Sequence, residues 1–431
     1  MCDNISLANV QEVYDIKDQT SEDKCDLFIE GQIEINYNLE TPKEKYGYNS
    51  LLNEQRNKID KISSEVWKKV RWYINDYDFL VKDPIINRAF YKYWEIVNRF
   101  DMFDKFDINS DIIFHCAEAP GGFIQGSNIY LQLNNNNYTQ PKETSTIDED
   151  GFTKTPSKKQ PRKKYKIFTI SLNKNLSKYK AYNLPSYNDS IINKHIYITY
   201  GKDDTGDINN LENIDFIKQR AKLQDSDGFY LITADGGFDE GTDFNNKEQL
   251  HYFLILNEIY SAIALQKVGG SFILKVFDIF TDTSIELLYL LNILYNEIYI
   301  YKPKTSRPTN SEKYVVCKGF NCNNKTVDFI KNKIRKLSET LKKKNGSGTS
   351  TVPNFATFKL FKEIPETFIS KIYNMNNLLL NKQCYYLDKA IILCEDSTFI
   401  QNYDTELKVS LENRKAVFKQ WEIEYSLNGF V

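Results

Sequence analysis

Histidine is scarce in this chain of 431 residues: His115, His195 and His251 are the only three. The seven cysteines (Cys2, Cys25, Cys116, Cys317, Cys322, Cys384 and Cys394) contain no C-x-x-C pair. A structural zinc site needs four Cys/His ligands at close spacing, so no metal is expected, and Cys317 and Cys322, the nearest pair, read as ordinary thiols. No run of about 18 apolar residues occurs, nor a charged-then-apolar N-terminal segment, so neither a membrane span nor secretion is expected. An excess of charge of one sign is missing as well: 56 Lys+Arg stand against 58 Asp+Glu, a formal net charge of −2. A nucleic-acid partner would therefore have to be met by local basic patches. The chain reads as intracellular, with reduced thiols.

What is present is a large apolar fraction, 41%, and a regular alternation of patterns. From Val66 to Phe106 apolar residues recur at helical spacing (Trp67, Val70, Ile74; Phe90, Trp94, Val97), which predicts two or three helices. Short β-rich runs follow at Ile112–Cys116, Ile167–Ser171, Ile196–Tyr200, Phe229–Thr233, Ser271–Val276, Ile298–Tyr301 and Tyr314–Cys317. Between the fourth and fifth, Lys247–Val268 carries apolar residues at 250, 253, 256, 259, 260, 263 and 264, a long amphipathic helix. Strands alternating with helices predict an α/β fold with a mainly parallel, seven-stranded sheet covered on both faces. The last run is expected as an antiparallel edge hairpin with the one before it. The expected organisation is a polar extension over 1–65 and a Rossmann-like domain over 66–320 with a low-complexity basic insertion at 134–166. A basic helix and linker over 321–353 then lead to a helical module over 354–431.

The run Phe114-His-Cys-Ala-Glu-Ala-Pro-Gly-Gly-Phe-Ile-Gln125 leads an apolar strand into a Pro-Gly-Gly turn and then a helix. Such a turn sits at the carboxyl edge of a parallel sheet, where these folds bind ligands. It is neither G-x-G-x-x-G nor a phosphate-binding Walker loop, and alone it reads equally as a plain turn. Its company is more informative. Ala234-Asp-Gly-Gly-Phe238 puts Asp235 at the end of a strand. Gly269-Gly-Ser-Phe-Ile-Leu-Lys-Val-Phe277 puts Lys275 near the end of the next, and Thr305-Ser-Arg-Pro-Thr-Asn-Ser-Glu312 puts Glu312 at the mouth of the last. An Asp, a Lys and a Glu from successive strand ends can converge on one crevice.

The strings CAEAPGGF, TADGGF, GGSFILKVFD and KPKTSRPTNSEKYVVCKGF resemble the FtsJ-type methyltransferases. More closely they are similar to the eukaryotic and large-virus cap-specific mRNA nucleoside-2′-O-methyltransferases of the cap-1 type. The resemblance covers about residues 84–320, and more loosely the tail, through Gln383-Cys and Arg414-Lys-Ala-Val-Phe-Lys-Gln-Trp421. It implies a Rossmann-like sheet, S-adenosyl-L-methionine as cofactor, and a catalytic Lys-Asp-Lys-Glu tetrad: Lys92 (within Asn87-Arg-Ala-Phe-Tyr-Lys92), Asp235, Lys275 and Glu312. It places the cofactor against Glu118, Pro120, Gly121, Gly122, Phe123, Asp207, Ile208 and Asp235. Glu118 stands where the family has a small residue and His115 where many relatives have Asp; His115 is either a ligand contact or a strand-end histidine. A ribose 2′-OH is a poor nucleophile at neutral pH. It needs a base or a partner for the developing alkoxide, and a lysine is a base only if burial or a second cation lowers its pKa. Lys275 beside Lys92 is expected to fill that role.

The implied substrate is the capped mRNA 5′ end, carried from cap 0 to cap 1, with Arg307 and Asn310 expected to touch substrate. A partner in the capping or transcription machinery is open, and the implied location is the nucleus, or the cytoplasm or virion for a viral protein. Trp72, Tyr73, Tyr77 and Phe79 near Lys68, Lys69 and Arg71 read either as an RNA-stacking patch or as core aromatics. The cluster Lys158–Lys166 reads either as a solvated loop or as an RNA-steering patch. Two other functions stay open: methylation of another RNA ribose (the second transcribed nucleotide or ribosomal RNA), and a catalytically silent RNA-binding subunit.

Overall fold

The computed structural model describes residues 12–19, 24–78, 84–137, 165–180, 182–222, 227–237, 244–344 and 356–427. Ten strands and eleven α-helices are present among them. The strands are β1 (Val13–Asp15), β2 (Ile35–Asn36), β3 (Ile112–Cys116), β4 (Lys166–Ile170), β5 (Ile196–Thr199), β6 (Phe229–Ala234), β7 (Gln266–Val276), β8 (Tyr295–Tyr301), β9 (Lys313–Phe320) and β10 (Thr357–Phe358). The helices are α1 (Leu51–Ile59), α2 (Ser64–Tyr73), α3 (Ala89–Arg99), α4 (Gly122–Asn137), α5 (Leu211–Lys222), α6 (Lys247–Leu265), α7 (Asp282–Leu294), α8 (Asn324–Lys344), α9 (Glu366–Glu395), α10 (Ser397–Gln401) and α11 (Tyr403–Glu424).

The central sheet has eight strands in the order β1-β8-β9-β7-β6-β3-β4-β5. The five from β7 to β5 pair in parallel, and β9 runs antiparallel to both β7 and β8. All seven expected strands form. The eighth is β1, which closes the edge antiparallel to β8. The hairpin of β8 and β9 is antiparallel as expected, but β9 inserts between β7 and β8 instead of lying at the edge.

Side chains alternate across a strand, and here the alternation sorts the core into two layers. Ile112, Phe114 and Cys116 of β3, with Phe272 and Leu274 of β7, pack against α5, α6, α7 and α8. Ile113 of β3, Leu231 of β6, Ile273 of β7 and Tyr314 and Val316 of β9 pack against α3 and α4. Continued to the strand ends, the parity of Leu231 leads to Asp235, that of Ile273 to Lys275 and that of Tyr314 to Glu312. All three therefore fall on the α3 side, where Lys92 is. This explains why residues distant in sequence can meet.

The rest of the chain is tied to this sheet from both ends. β2 pairs antiparallel with β10, the Gln55 amide of α1 donates to the Cys384 carbonyl of α9 at 3.1 Å, and Asn376 of α9 donates to the Tyr46 carbonyl at 2.8 Å. At the far end of α11, Trp421 is buried against Tyr91 of α3, and the Trp94 indole of α3 donates to the Tyr425 carbonyl at 2.8 Å. Trp72 and Tyr73 are half-buried against the C-terminal helices, with Arg414 over both rings and Phe399 edge-on to Tyr73. They pack; Phe79 and the cluster Lys158–Lys164 lie outside the described residues.

Candidate active site

Two buried ion pairs face one another at the carboxyl edge of β6 and β7. The Lys92 ammonium of α3 meets Glu312 Oε1 at 2.6 Å, and the Lys275 ammonium lies 3.4 Å from Asp235 Oδ1. All four side chains are at most 14% exposed. The pairs are coupled, because Glu312 feels both lysines, and together they hold its carboxyl well below the usual range against the opposing effect of burial. Lys275 also donates to the Asp235 carbonyl at 2.6 Å. The Tyr314 hydroxyl, opposite Lys275 in the β7–β9 register, donates to Asp235 Oδ1 at 2.9 Å. Ser306 donates to Glu312 Oε1 at 2.9 Å. The four expected tetrad positions are thus brought together, with Ser306 and Tyr314 as supports that the sequence reading did not single out. Both were within reach of it: Ser306 lies in the same string as Glu312, and Tyr314 lies two residues after Glu312 on the same face.

The protonation state of Lys275 differs from expectation. Burial acts to lower its pKa, but Asp235, Glu312 and Glu258 outweigh it, and the value is raised. A neighbouring cation does not tune it down; the Asp235 and Glu312 carboxylates hold it charged, and Glu258 adds to them where it is ionised. Lysines with depressed pKa values do occur nearby. Burial brings Lys302 down to about 7 and Lys313 to about 8. Both ammonium groups are spent on backbone carbonyls, Lys302 on Asn310 and Glu312, Lys313 on Phe277 and Ser311. They brace the Glu312 loop and do not open into the crevice of the tetrad.

Beside the tetrad, the loops after β3, β4 and β5 are tied into one wall. The Ala119 N–H donates to Ser171 Oγ at 2.9 Å, Asn173 N–H to the Thr205 carbonyl at 2.9 Å, and Asn188 N–H to the Pro120 carbonyl at 2.9 Å. At Gly206, φ is +70° and a Cβ would collide with the Ser171 carbonyl, so only glycine permits this approach. The expected cofactor residues divide here. Pro120 and Asp207 are half-buried at the crevice, and Asp207 Oδ1 accepts the Asn209 N–H at 2.9 Å. Ile208 is 4% exposed. Gly122 backs onto Asn87 and Phe90 of α3, and the Phe123 ring is buried between Tyr93 and Tyr314, so any contact from these two is through the backbone. Glu118 Oε1 accepts the Phe123 N–H at 2.7 Å, while its buried Oε2 has no hydrogen-bond partner among the described residues. Burial and the nearby Asp235 push this carboxyl well up. An orphaned polar oxygen in that place fits a ligand with a donor or cation to offer.

His115 is not open to the crevice. Its ring nitrogens meet Thr233 Oγ1 at 2.7 Å and Ser127 Oγ at 3.0 Å, and burial lowers its pKa to about 3. The expected substrate contacts are also turned inward. Arg307 donates through Nε to both Asp78 oxygens (3.2 and 3.1 Å), and Asp78 pairs with Arg88 as well. Asn310 Oδ1 accepts the Glu312 N–H at 2.8 Å and shapes the loop. No group of three or more His, Cys, Asp or Glu able to hold a metal exists among the described residues, and no helix among them is long and apolar enough to cross a membrane.

Comparison with known proteins places this geometry. A model of FtsJ-like methyltransferases matches residues 85–320. The chain is 34% identical over 227 residues to the cap-specific mRNA (nucleoside-2′-O-)-methyltransferase 1A of Caenorhabditis briggsae, covering 52% of this chain and 25% of that protein. It is 33% identical over 227 residues to the inactive cap-specific mRNA (nucleoside-2′-O-)-methyltransferase 1B of the same species, covering 52% and 26%. It is 27% identical over 349 residues to the cap-specific mRNA (nucleoside-2′-O-)-methyltransferase 2 of Drosophila melanogaster, covering 75% and 42%. The chain thus spans between a quarter and two-fifths of the length of these relatives.

Proposed function

The chain belongs to the FtsJ-like methyltransferase family, and from that premise we propose that it methylates the ribose 2′-OH of the first transcribed nucleotide of capped mRNA, taking cap 0 to cap 1. The observation that carries the proposal is the joint burial of the Lys92–Glu312 and Lys275–Asp235 pairs in one crevice. Similarity by itself does not separate a working enzyme from a silent one, since an active and an inactive relative match almost equally (34% and 33%). Two intact, coupled pairs support the working one.

S-adenosylmethionine supplies the methyl group as an electrophile. Glu118, Pro120, Gly121, Gly122, Phe123, Asp207 and Ile208 are the residues that would hold it. Lys275, kept charged, donates to the acceptor oxygen and steers its lone pair toward the methyl; the hydroxyl proton leaves to water as the oxygen–methyl bond forms, and the ammonium stabilises the alkoxide character that develops. Asp235 holds the Lys275 ammonium, and Tyr314 holds Asp235. The Lys92–Glu312 pair fixes the far side of the ribose. Most of the acceleration then comes from placement of an in-line attack. A cavity of about 220 Å³ adjoins Glu312 through Asn310 and Lys302, with Tyr77, Tyr386, Lys304 and Lys382 in its wall. Two phenol rings and the Lys304 and Lys382 ammonium groups suit a stacked base and its phosphates, and we seat the 5′ end of the RNA there. A partner from the capping or transcription machinery belongs to the same reading.

A second reading, transfer to the second transcribed nucleotide or another RNA ribose, draws on the longer match to the Drosophila protein numbered 2. Transfer of labelled methyl to capped, uncapped and already 2′-O-methylated RNA, with nuclease mapping of the product, decides between them. Label confined to the first nucleotide of capped RNA is expected. Label on uncapped RNA, or on the second nucleotide, moves the assignment; none on any RNA returns the silent subunit.

A further inference from the structure

Helix α6 lies over the sheet with Leu256, Ile259, Tyr260 and Ile263 all buried, yet Glu258 sits among them at 1% exposure. A carboxyl in such a place costs free energy unless something is gained from it. Its Oε1 accepts the Gly236 N–H at 3.1 Å. The other end of the same peptide unit, the Asp235 carbonyl, accepts the Lys275 ammonium at 2.6 Å. One peptide plane is therefore held between an acid on α6 and the lysine on β7. The plane's direction decides where Asp235 projects and where Lys275 is anchored. Packing at the turn is close: a Cβ on Gly236 would collide with Glu258 Oε1 and stand 3.1 Å from Leu254. The second oxygen, Oε2, is buried with no hydrogen-bond partner among the described residues, so nothing else recorded there fixes the carboxyl.

We propose that Glu258 is a positioning residue for methyl transfer, orienting the Asp235–Gly236 peptide and through it the Lys275 amine. The inference rests on the methyltransferase reading above. The titratable groups that face Glu258 are Lys275 from β7, Asp235 from the end of β6 and Cys116 from β3. Burial raises its pKa to about 8, with Lys275 and the Gly236 N–H opposing the rise. At neutral pH it is mainly the neutral acid, and it ionises above that, next to Lys275.

The test compares Glu258→Gln and Glu258→Leu with the wild type in three readouts: single-turnover transfer to capped RNA from pH 6 to 9, affinity for S-adenosylmethionine, and hydrogen exchange of the segment containing Gly236. Glu258→Leu leaves the Gly236 N–H without its acceptor, so a rate at least about tenfold lower and faster exchange are expected. Its cofactor affinity should stay within about threefold of wild type, since other loops make those contacts. Glu258→Gln keeps an oxygen at the same place, so it should restore both rate and protection at pH 7. Its pH profile should lack the inflection near 8 expected of the wild type. A folded Glu258→Leu variant with wild-type rate and exchange overturns the proposal, and so does an equal loss of rate and cofactor affinity in both variants. If the leucine variant does not fold, a Glu258→Gln variant that keeps Gly236 protected yet loses the rate at pH 7 overturns it alone. Should the wild type transfer methyl to no RNA, it is the functional reading that fails, and exchange at Gly236 still reports on the clamp.

Discussion

At Lys275 two effects of opposite sign compete, desolvation, which disfavours the ammonium, and the acids Asp235, Glu312 and, once ionised, Glu258, which favour it; the second prevails. Removal of Lys275 therefore takes away a fixed charge and a donor from the place where, in the proposed reaction, negative charge develops. Lys275→Ala is expected to lower single-turnover transfer by about 10²–10⁴-fold while the cofactor still binds. Retention of more than about a tenth of the wild-type rate would remove Lys275 from the chemistry. Lys275→Arg separates charge from shape. It keeps the charge, but the wider, planar guanidinium does not reproduce the compact ammonium that meets both the Asp235 carbonyl and Asp235 Oδ1, and the rate should be at least about tenfold down. At this scale Lys92, Asp235, Lys275 and Glu312 were legible because each lies in a distinctive string. Glu258 was not, because an apolar stripe is read by its hydrophobic members and a single acid within it looks like a solvated position. The charge state of Lys275 was not legible either, since it depends on acids brought together from different parts of the chain.

Helix α3 carries more than Lys92. One turn on, Glu95 is fully buried and accepts the Lys304 N–H at 2.7 Å, the Thr305 N–H at 2.8 Å and the Tyr301 hydroxyl at 2.8 Å. The helix thus grips the start of the loop that ends in Glu312. Burial raises the Glu95 pKa to about 6. The folded state then binds the proton more tightly than the unfolded chain, so this stability is fully present below about 4.5 and is lost as pH rises through about 6. Measured by denaturant unfolding, the wild type should gain about 2 kcal/mol relative to Glu95→Gln as pH falls across that window. A constant difference would show that Glu95 is ionised throughout. Element cores were readable from alternation and helical spacing. β1 was not: three residues, Val13–Asp15, are too few for a period, and they become a strand only because β8 offers an open edge. β7 begins at Gln266, five residues before its expected start, because the Gly269-Gly270 pair reads as a turn by composition alone.

Across the whole molecule, the central sheet is gripped from behind by the C-terminal helices. Trp421 is 1% exposed and sits against Tyr91, Phe418 and Tyr425, on the helix that presents Lys92. Trp421→Ala should cost about 3–5 kcal/mol, read as a lowered unfolding midpoint. Transfer should fall where the variant is partly unfolded and be near normal where it is fully folded. A full-stability variant would show that α11 only rests on α3. The sequence showed a helical tail with Arg414 and Trp421 in it, but not what it covers, since pairing between distant segments leaves no local pattern.

The pairing of β2 with β10 and of α1 with α9 bears on the order of events during synthesis. Gln55 and Cys384 are 329 positions apart, and a loop of that length adds little to the equilibrium cost of closure. It matters for time, because residues 24–59 leave the ribosome long before the partners that complete their packing. Until α9 emerges, Leu52 and Tyr46, buried in the finished protein, have the turn at Phe280 and Asp282 beside them but lack the α9 side of their packing. The central sheet can assemble in the interval. Its N-terminal segment must wait, so nascent chains halted before residue 356 should be cut by protease within 24–59 while β3 to β9 resist.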